Sequence, residues 1–251
     1  MKTVAIVCQK GGVGKSTTAL NLGAGLFFKS KKILFVDLDA QGNLTETLGV
    51  SGDCPTALDV LMGRADIKTA AQWTAVGDVI AAGAGLAGAD MIIEGTRKEY
   101  RLKDALEAVK NAYDYVIIDT PPALGILTVN ALAAASEAIV PVQADIYSLR
   151  AIGQLSMTMD AVREHCNESL AIAGILLTRH SSRAILSRDM AEMMDQTAEA
   201  LHTKVFSTSI REAVAIKESQ ARQTDIFSYA PRSGVAKDYL EFVNEYIARD
   251  V

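Results

Sequence analysis

Apolar residues recur along this chain in two rhythms. Short unbroken runs at Thr3–Cys8, Lys32–Asp37, Asp78–Ala82, Tyr115–Asp119, Ala138–Val142 and Leu170–Leu177 read as strands. Between and after them, helical spacing predicts helices over Thr17–Phe28, Leu102–Asn111, Leu149–His165, Leu186–Leu201 and Gly234–Ala248. A strand with no polar alternation must be covered on both faces, as strands of parallel sheets are. Strand–helix repetition with short connections then predicts an α/β fold, a doubly wound, mostly parallel sheet flanked by helices. The stretch 49–100, rich in Gly and Ala, gives the least legible pattern. No Pro- or Ser-rich linker and no internal repeat divides the chain, so one domain is expected over residues 1–251.

Composition narrows the function class. With 251 residues, 49% of them apolar, the chain can bury a sizeable core without disulfides. Its three cysteines, Cys8, Cys54 and Cys166, lack metal-ligand spacing and read as reduced thiols of a cytoplasmic protein. A net charge of −5 argues against coating nucleic acid by bulk electrostatics, while leaving room for a local basic patch. The first apolar run is too short for a signal peptide, and no run approaches the roughly eighteen residues a bilayer span requires.

The chemistry begins between the first strand and the first helix, at Gln9–Thr17. A general phosphate loop reads G-x-x-x-x-G-K-[ST]; here Gln9 holds the first glycine position, and the pattern is met from Gly14 onward. Gly11, Gly12 and Gly14, with Val13 between them, let backbone N–H groups turn inward around phosphate oxygens. The positive end of the following helix adds to that anion site. Lys15 is placed to contact the β- and γ-phosphates, and the Ser16 hydroxyl to ligate Mg²⁺, with Thr17 completing the motif. Strand, loop and helix in that order indicate a P-loop NTPase.

Two acidic elements complete the site. In parallel sheets ligands gather at the carboxyl ends of strands. Asp119 ends one such strand, before Thr120, and is placed to hold Mg²⁺ through a coordinated water. Asp37 and Asp39 follow the second strand. Two residues apart in extended chain, they point to one side, so one could orient the attacking water while the other supports the metal shell. Residue chemistry leaves the assignment open.

Lys10-Gly-Gly-Val-Gly-Lys-Ser16 resembles the deviant Walker A motif, which carries an extra lysine near the loop's start. Together with Val36–Asn43 and Val116–Pro122 it resembles the ParA/Soj branch of the ParA–MinD ATPases, with weaker similarity over nearly the whole chain, including Gly174–Arg179. The resemblance implies that Lys10 reaches the partner's nucleotide across an ATP-sandwich homodimer. It also implies that Asp39 positions the attacking water, that Asp37 belongs to the metal shell, and that Asp119 is the Walker B acid. It further implies binding of ATP and Mg²⁺, ATP hydrolysis, and non-specific duplex DNA binding by the ATP-bound dimer. Release would follow hydrolysis stimulated by a ParB-type partner, and the ATP-bound form would be nucleoid-associated.

The branch decides which surface is bound. The C-terminal helix carries Glu241, Glu245 and Asp250 beside its apolar face, which suits packing on the core and not membrane docking. For DNA, the local candidates are Arg179, Arg183 and Arg188, three arginines with no intervening acid, and Lys217 further on. The chain departs from the Soj pattern at Ile210–Glu218, where Arg211 stands for a proline and Ala215 for an arginine implicated in DNA binding. The alternative is a ParA-like ATPase that positions a protein complex, such as secretion, conjugation or polysaccharide machinery, without binding DNA.

Overall fold

The computed structural model describes residues 1–51, 54–143, 145–180, 198–199 and 201–249. Seven strands form one sheet: β1 (Lys2–Ile6), β2 (Ile33–Asp37), β3 (Ala71–Thr74), β4 (Gly77–Ile80), β5 (Tyr115–Asp119), β6 (Glu137–Val142) and β7 (Ala171–Leu177). Their spatial order is β3-β4-β2-β5-β1-β6-β7. Every pairing is parallel except the edge hairpin of β3 with β4.

The described α-helices are α1 (Lys15–Phe27), α2 (Asn43–Thr47), α3 (Ala57–Leu61), α4 (Ile67–Ala70), α5 (Ala89–Ile92), α6 (Arg101–Leu106), α7 (Ile126–Ala134), α8 (Ile146–His165), α9 (Val214–Ala221), α10 (Ile226–Tyr229) and α11 (Gly234–Ala248). Alternate residues of each strand enter two different cores. From β2, Leu34 and Val36 face the layer that includes Leu102, Leu106, Leu132 and Leu155. Ile33 and Phe35 face the layer built on α1 and α11, with Leu22, Leu26, Phe242 and Val243. Burial on both faces is what the unbroken apolar runs required. The apolar face of α11 is accordingly packed on the sheet through Tyr239, Phe242, Val243 and Tyr246, and no described helix is long and apolar enough to cross a membrane.

Close approach explains the glycines inside α1. A Cβ at Gly23 would lie 2.2 Å from the Phe35 ring, and one at Gly25 would lie 2.6 Å from Val243. The helix therefore sits directly on β2 and α11. This fixes its first turn beside the carboxyl ends of β1, β2 and β5, where the strand order reverses around β1 and ligands of such sheets bind.

The expected strands and the terminal helix are present, the latter over Gly234–Ala248. The helix expected over 102–111 stops as α-helix at Leu106 and tightens into a 3₁₀ turn at Glu107–Val109. Antiparallel β3, the short helices α2 to α5 and α10, and helices α7 and α9 were not read from the pattern. The helix expected over 186–201 lies largely outside the described residues, as do Arg183 and Arg188.

Candidate active site

The loop between β1 and α1 is shaped by two left-handed glycines, Gly12 at φ 75° and Gly14 at φ 89°. A Cβ at Gly11, Gly12 or Gly14 would meet no protein atom within 4 Å, so the requirement there is the backbone's turn and not crowding. Gly14 caps α1, whose first turn holds no acidic residue and begins with Lys15. Nothing acidic on the helix itself offsets its positive end, as an anion site requires. Lys15 is buried, and its Nζ donates to the Lys10 carbonyl at 3.3 Å, which turns the ammonium back over the loop.

Neighbouring strand ends hold the loop from behind. The Thr178 hydroxyl, just past β7, donates to the Val13 carbonyl at 2.7 Å. The Gly12 carbonyl accepts from Gln143 Nε2 at 3.1 Å and from Arg179 Nη1 at 3.3 Å. Arg179 has a left-handed backbone, φ 50°, and its guanidinium also pairs with Glu212 at 2.6 Å. A non-glycine residue in that conformation is strained and persists where its surroundings hold it. Arg179 thus faces the cleft and braces the phosphate loop. Lys217 likewise borders the cleft.

The carboxylates converge on the same place. Asp37 and Asp119 are register partners on adjacent strands β2 and β5, and both are fully buried. Asp37 spends its oxygens on protein donors: Oδ1 accepts from the Asp39 amide, and Oδ2 from the Thr45 amide and hydroxyl at 2.9 and 2.7 Å. Thr45 Oγ1 in turn accepts from the Ala82 amide at 2.8 Å. Asp37 therefore fixes the turn that presents Asp39, whose Oδ1 accepts from the Gln41 amide at 3.0 Å.

Asp119 differs. Neither of its oxygens has a hydrogen-bond partner among the described residues, and the Ser16 hydroxyl lies nearby without hydrogen-bonding geometry. Burial first, then the charge of Asp37, pushes the Asp119 carboxyl well above the ordinary carboxylate range, against the pull of Ser16 and Lys15. Burial likewise raises Asp37. A buried carboxylate without donors is costly in a protein that does not use it. One facing a hydroxyl and an ammonium suits a hydrated divalent cation with an anionic ligand.

Lys10 lies on the other flank, ion-paired with Asp145 just before α8. Together these groups bound a cleft of about 450 Å³, within the range of small-molecule sites. Gly11 to Thr17 form one end, with Asp39, Gln41 and Asn43 beside it, while Ile210, Ala213, Ile216 and Tyr239 supply apolar surface. Of the residues picked from sequence, the structure brings together Gly11, Gly12, Gly14, Lys15, Ser16, Thr17, Asp39 and Lys217 at the cleft, with Asp37 and Asp119 beneath them. Val13 is buried and contributes its carbonyl to the loop's support.

Sequence reading gave no role to Thr178 or Gln143, and it noted Ile210–Glu218 only as a departure from the Soj pattern. The first two carried one usable signal, their position just past the ends of parallel strands.

An AAA-domain family model matches residues 1–172. The sporulation initiation inhibitor protein Soj of Bacillus subtilis is 41% identical, over 98% of each chain. The chain belongs to the Soj/ParA family of P-loop ATPases. The chromosome-partitioning ATPase Soj of Treponema pallidum is 38% identical over 99% of this chain and 98% of its own. The crystal structure of cobyrinic acid a,c-diamide synthase from Mycobacterium smegmatis, with bound ADP and magnesium, has a TM-score of 0.84 and 33% identity, covering 97% of this chain and 93% of that one.

Proposed function

We propose that this Soj/ParA protein is a partitioning ATPase that binds non-specific DNA as an ATP-bound dimer and leaves it when a ParB-type partner stimulates hydrolysis. The observation that carries the site is Asp119, buried and without a donor, below a phosphate loop whose lysine is buried beside it. ATP and Mg²⁺ are the ligands these residues fit. The bound Mg²⁺ supplies charge neutralisation between the phosphates.

The protein's own groups divide the remaining work. The amides of Gly11 to Gly14 and the first turn of α1 hold phosphate oxygens. Lys15 places its ammonium where charge develops on the transferred phosphoryl group. Ser16 Oγ would hold the metal as a direct ligand, and Asp119 would hold it through a water. Asp37 supports that shell from behind through Thr45 and the Asp39 turn. Asp39 keeps its carboxylate at the cleft, where it orients the attacking water. Lys10 is the residue exchanged between protomers: released from Asp145, it reaches the partner's triphosphate as an arginine finger does. Hydrolysis is thereby tied to dimerisation. Arg179, Arg183, Arg188 and Lys217 are the residues we assign to DNA.

The identity of 38 to 41% to Soj proteins, against 33% to the diamide synthase, favours partitioning over small-molecule synthesis. Asp39→Ala separates binding from chemistry. We expect it to keep ATP affinity, to lose roughly 100-fold or more in turnover, and to accumulate as a dimer in ATP by light scattering. A monomer in ATP, or turnover near that of the parent, would contradict the assignment.

A further inference from the structure

One wall of the cleft is the stretch Ile210–Ala213. Backbone hydrogen bonds lay it alongside the end of β7: the Ile210 amide donates to the Leu177 carbonyl at 2.8 Å and the His180 amide to the Ile210 carbonyl at 2.9 Å. Ile210 and Glu212, two apart in extended chain, lie on one side, and Arg211 between them points to the other. On that other side Arg211 meets Asp238 of α11. Nε donates to Oδ2 at 2.7 Å, Nη2 to Oδ1 at 2.7 Å, and the Arg211 amide to Oδ2 at 3.1 Å.

This is more than a surface ion pair of the kind worth little to stability. Asp238 is 6% exposed and receives three hydrogen bonds from one residue, including a fork-to-fork pair that fixes orientation as well as distance. The guanidinium lies so close over the start of α11 that a Cβ at Gly234 would stand 2.5 Å from Nη1. Next along the helix, Tyr239 borders the cleft, and next along the strand Glu212 pairs with Arg179, which bonds the Gly12 carbonyl. A continuous chain of contacts therefore runs from α11 through Arg211 and Glu212 to the phosphate loop.

We propose that the Arg211–Asp238 pair is a positioning clamp. It holds the apolar wall of Ile210, Ala213 and Ile216 at the distance from the phosphate loop that a planar nucleotide base requires. This rests on the ATP reading of the cleft. The hydrogen bonds of the clamp itself run between Arg211 and Asp238 and not to the phosphate loop, so the clamp acts first on the base half of the ligand.

The test compares two ligands by titration calorimetry with Mg²⁺: ATP, which uses both ends of the cleft, and inorganic tripolyphosphate, which uses the phosphate loop alone. In Asp238→Asn, the ATP dissociation constant should rise roughly five- to tenfold while that for tripolyphosphate changes by less than about twofold. Arg211→Lys keeps the charge and loses the fork, so it should shift ATP affinity in the same direction. Retained tripolyphosphate binding also certifies that the variant is folded. Unchanged ATP affinity in both variants would overturn the clamp, as would equal weakening for both ligands, which would mean general loosening. A parent protein that binds tripolyphosphate but gains nothing from the nucleoside would instead remove the ATP reading itself, and the clamp with it.

Discussion

Asp119 has the environment least favourable to its own charge. It is fully buried, lacks a donor among the described residues, and faces Asp37 across adjacent strands. A buried polar group left unsatisfied costs about 1–3 kcal/mol, so the nucleotide-free protein carries this cost until a cation arrives. Asp119→Asn should therefore raise the melting temperature of the nucleotide-free protein, by about 2–4 °C per kcal/mol gained, while abolishing Mg²⁺-dependent hydrolysis. Calorimetric melting with and without Mg·ATP checks both halves; a lower melting temperature in the free protein would contradict this description of the site.

The pH dependence follows from Asp37. Burial raises its folded-state value to about 6, above the ordinary carboxylate value of 3.8. Across that window the folded chain binds protons that the unfolded chain does not, so this group's contribution to stability falls as pH rises from about 4 to about 6, then levels off. Asp37→Asn should flatten that part of the melting-temperature profile in the free protein; a profile unchanged from the parent would contradict the shift. Both aspartates were legible as site residues because each ends a parallel strand. Their division of labour was not, because Thr45, which donates to Asp37, and Ala82, which donates to Thr45, have no distinguishing sequence pattern.

At the scale of elements, the unbroken apolar strands were readable because two cores demand apolar side chains on both faces. Helix α7 was not, for the same physical reason: seven of its nine residues are buried, so its sequence has no polar face to reveal the helical period. Edge strand β3 was hidden because its four residues include Trp73 on the surface and only one buried side chain. Helix α1 offers a test of packing against propensity. Alanine in place of a mid-helix glycine gains up to about 1 kcal/mol from propensity, but at Gly23 the added Cβ would stand 2.2 Å from the Phe35 ring. Overpacking costs about 1–3 kcal/mol, so Gly23→Ala should lower the melting temperature. A stabilised variant would mean that α1 does not sit on β2 as described, and that the first turn carrying Lys15 and Ser16 is not fixed by this contact.

For the whole molecule, the sheet places one loop, two strand-end turns and the β7 extension around a single cleft. The phosphate half of that cleft could be read from a contiguous motif. Its far wall could not, since Ile210–Ala213 and Tyr239 are scattered along the chain and meet only because the 210–213 segment is tied to the end of β7 and to α11. The proposed function adds a dimer and DNA to this frame, and their coupling to ATP is the central claim. The measurement that tests it most directly is binding of the purified protein to non-specific duplex DNA with ATP, ADP or no nucleotide, across a salt series. Binding with ATP alone, weakening steeply as salt rises because phosphate contacts release counterions, is the predicted result. A protein that binds and hydrolyses ATP yet attaches to DNA in none of these states would contradict the claim, and would leave a switch that positions a protein complex without DNA.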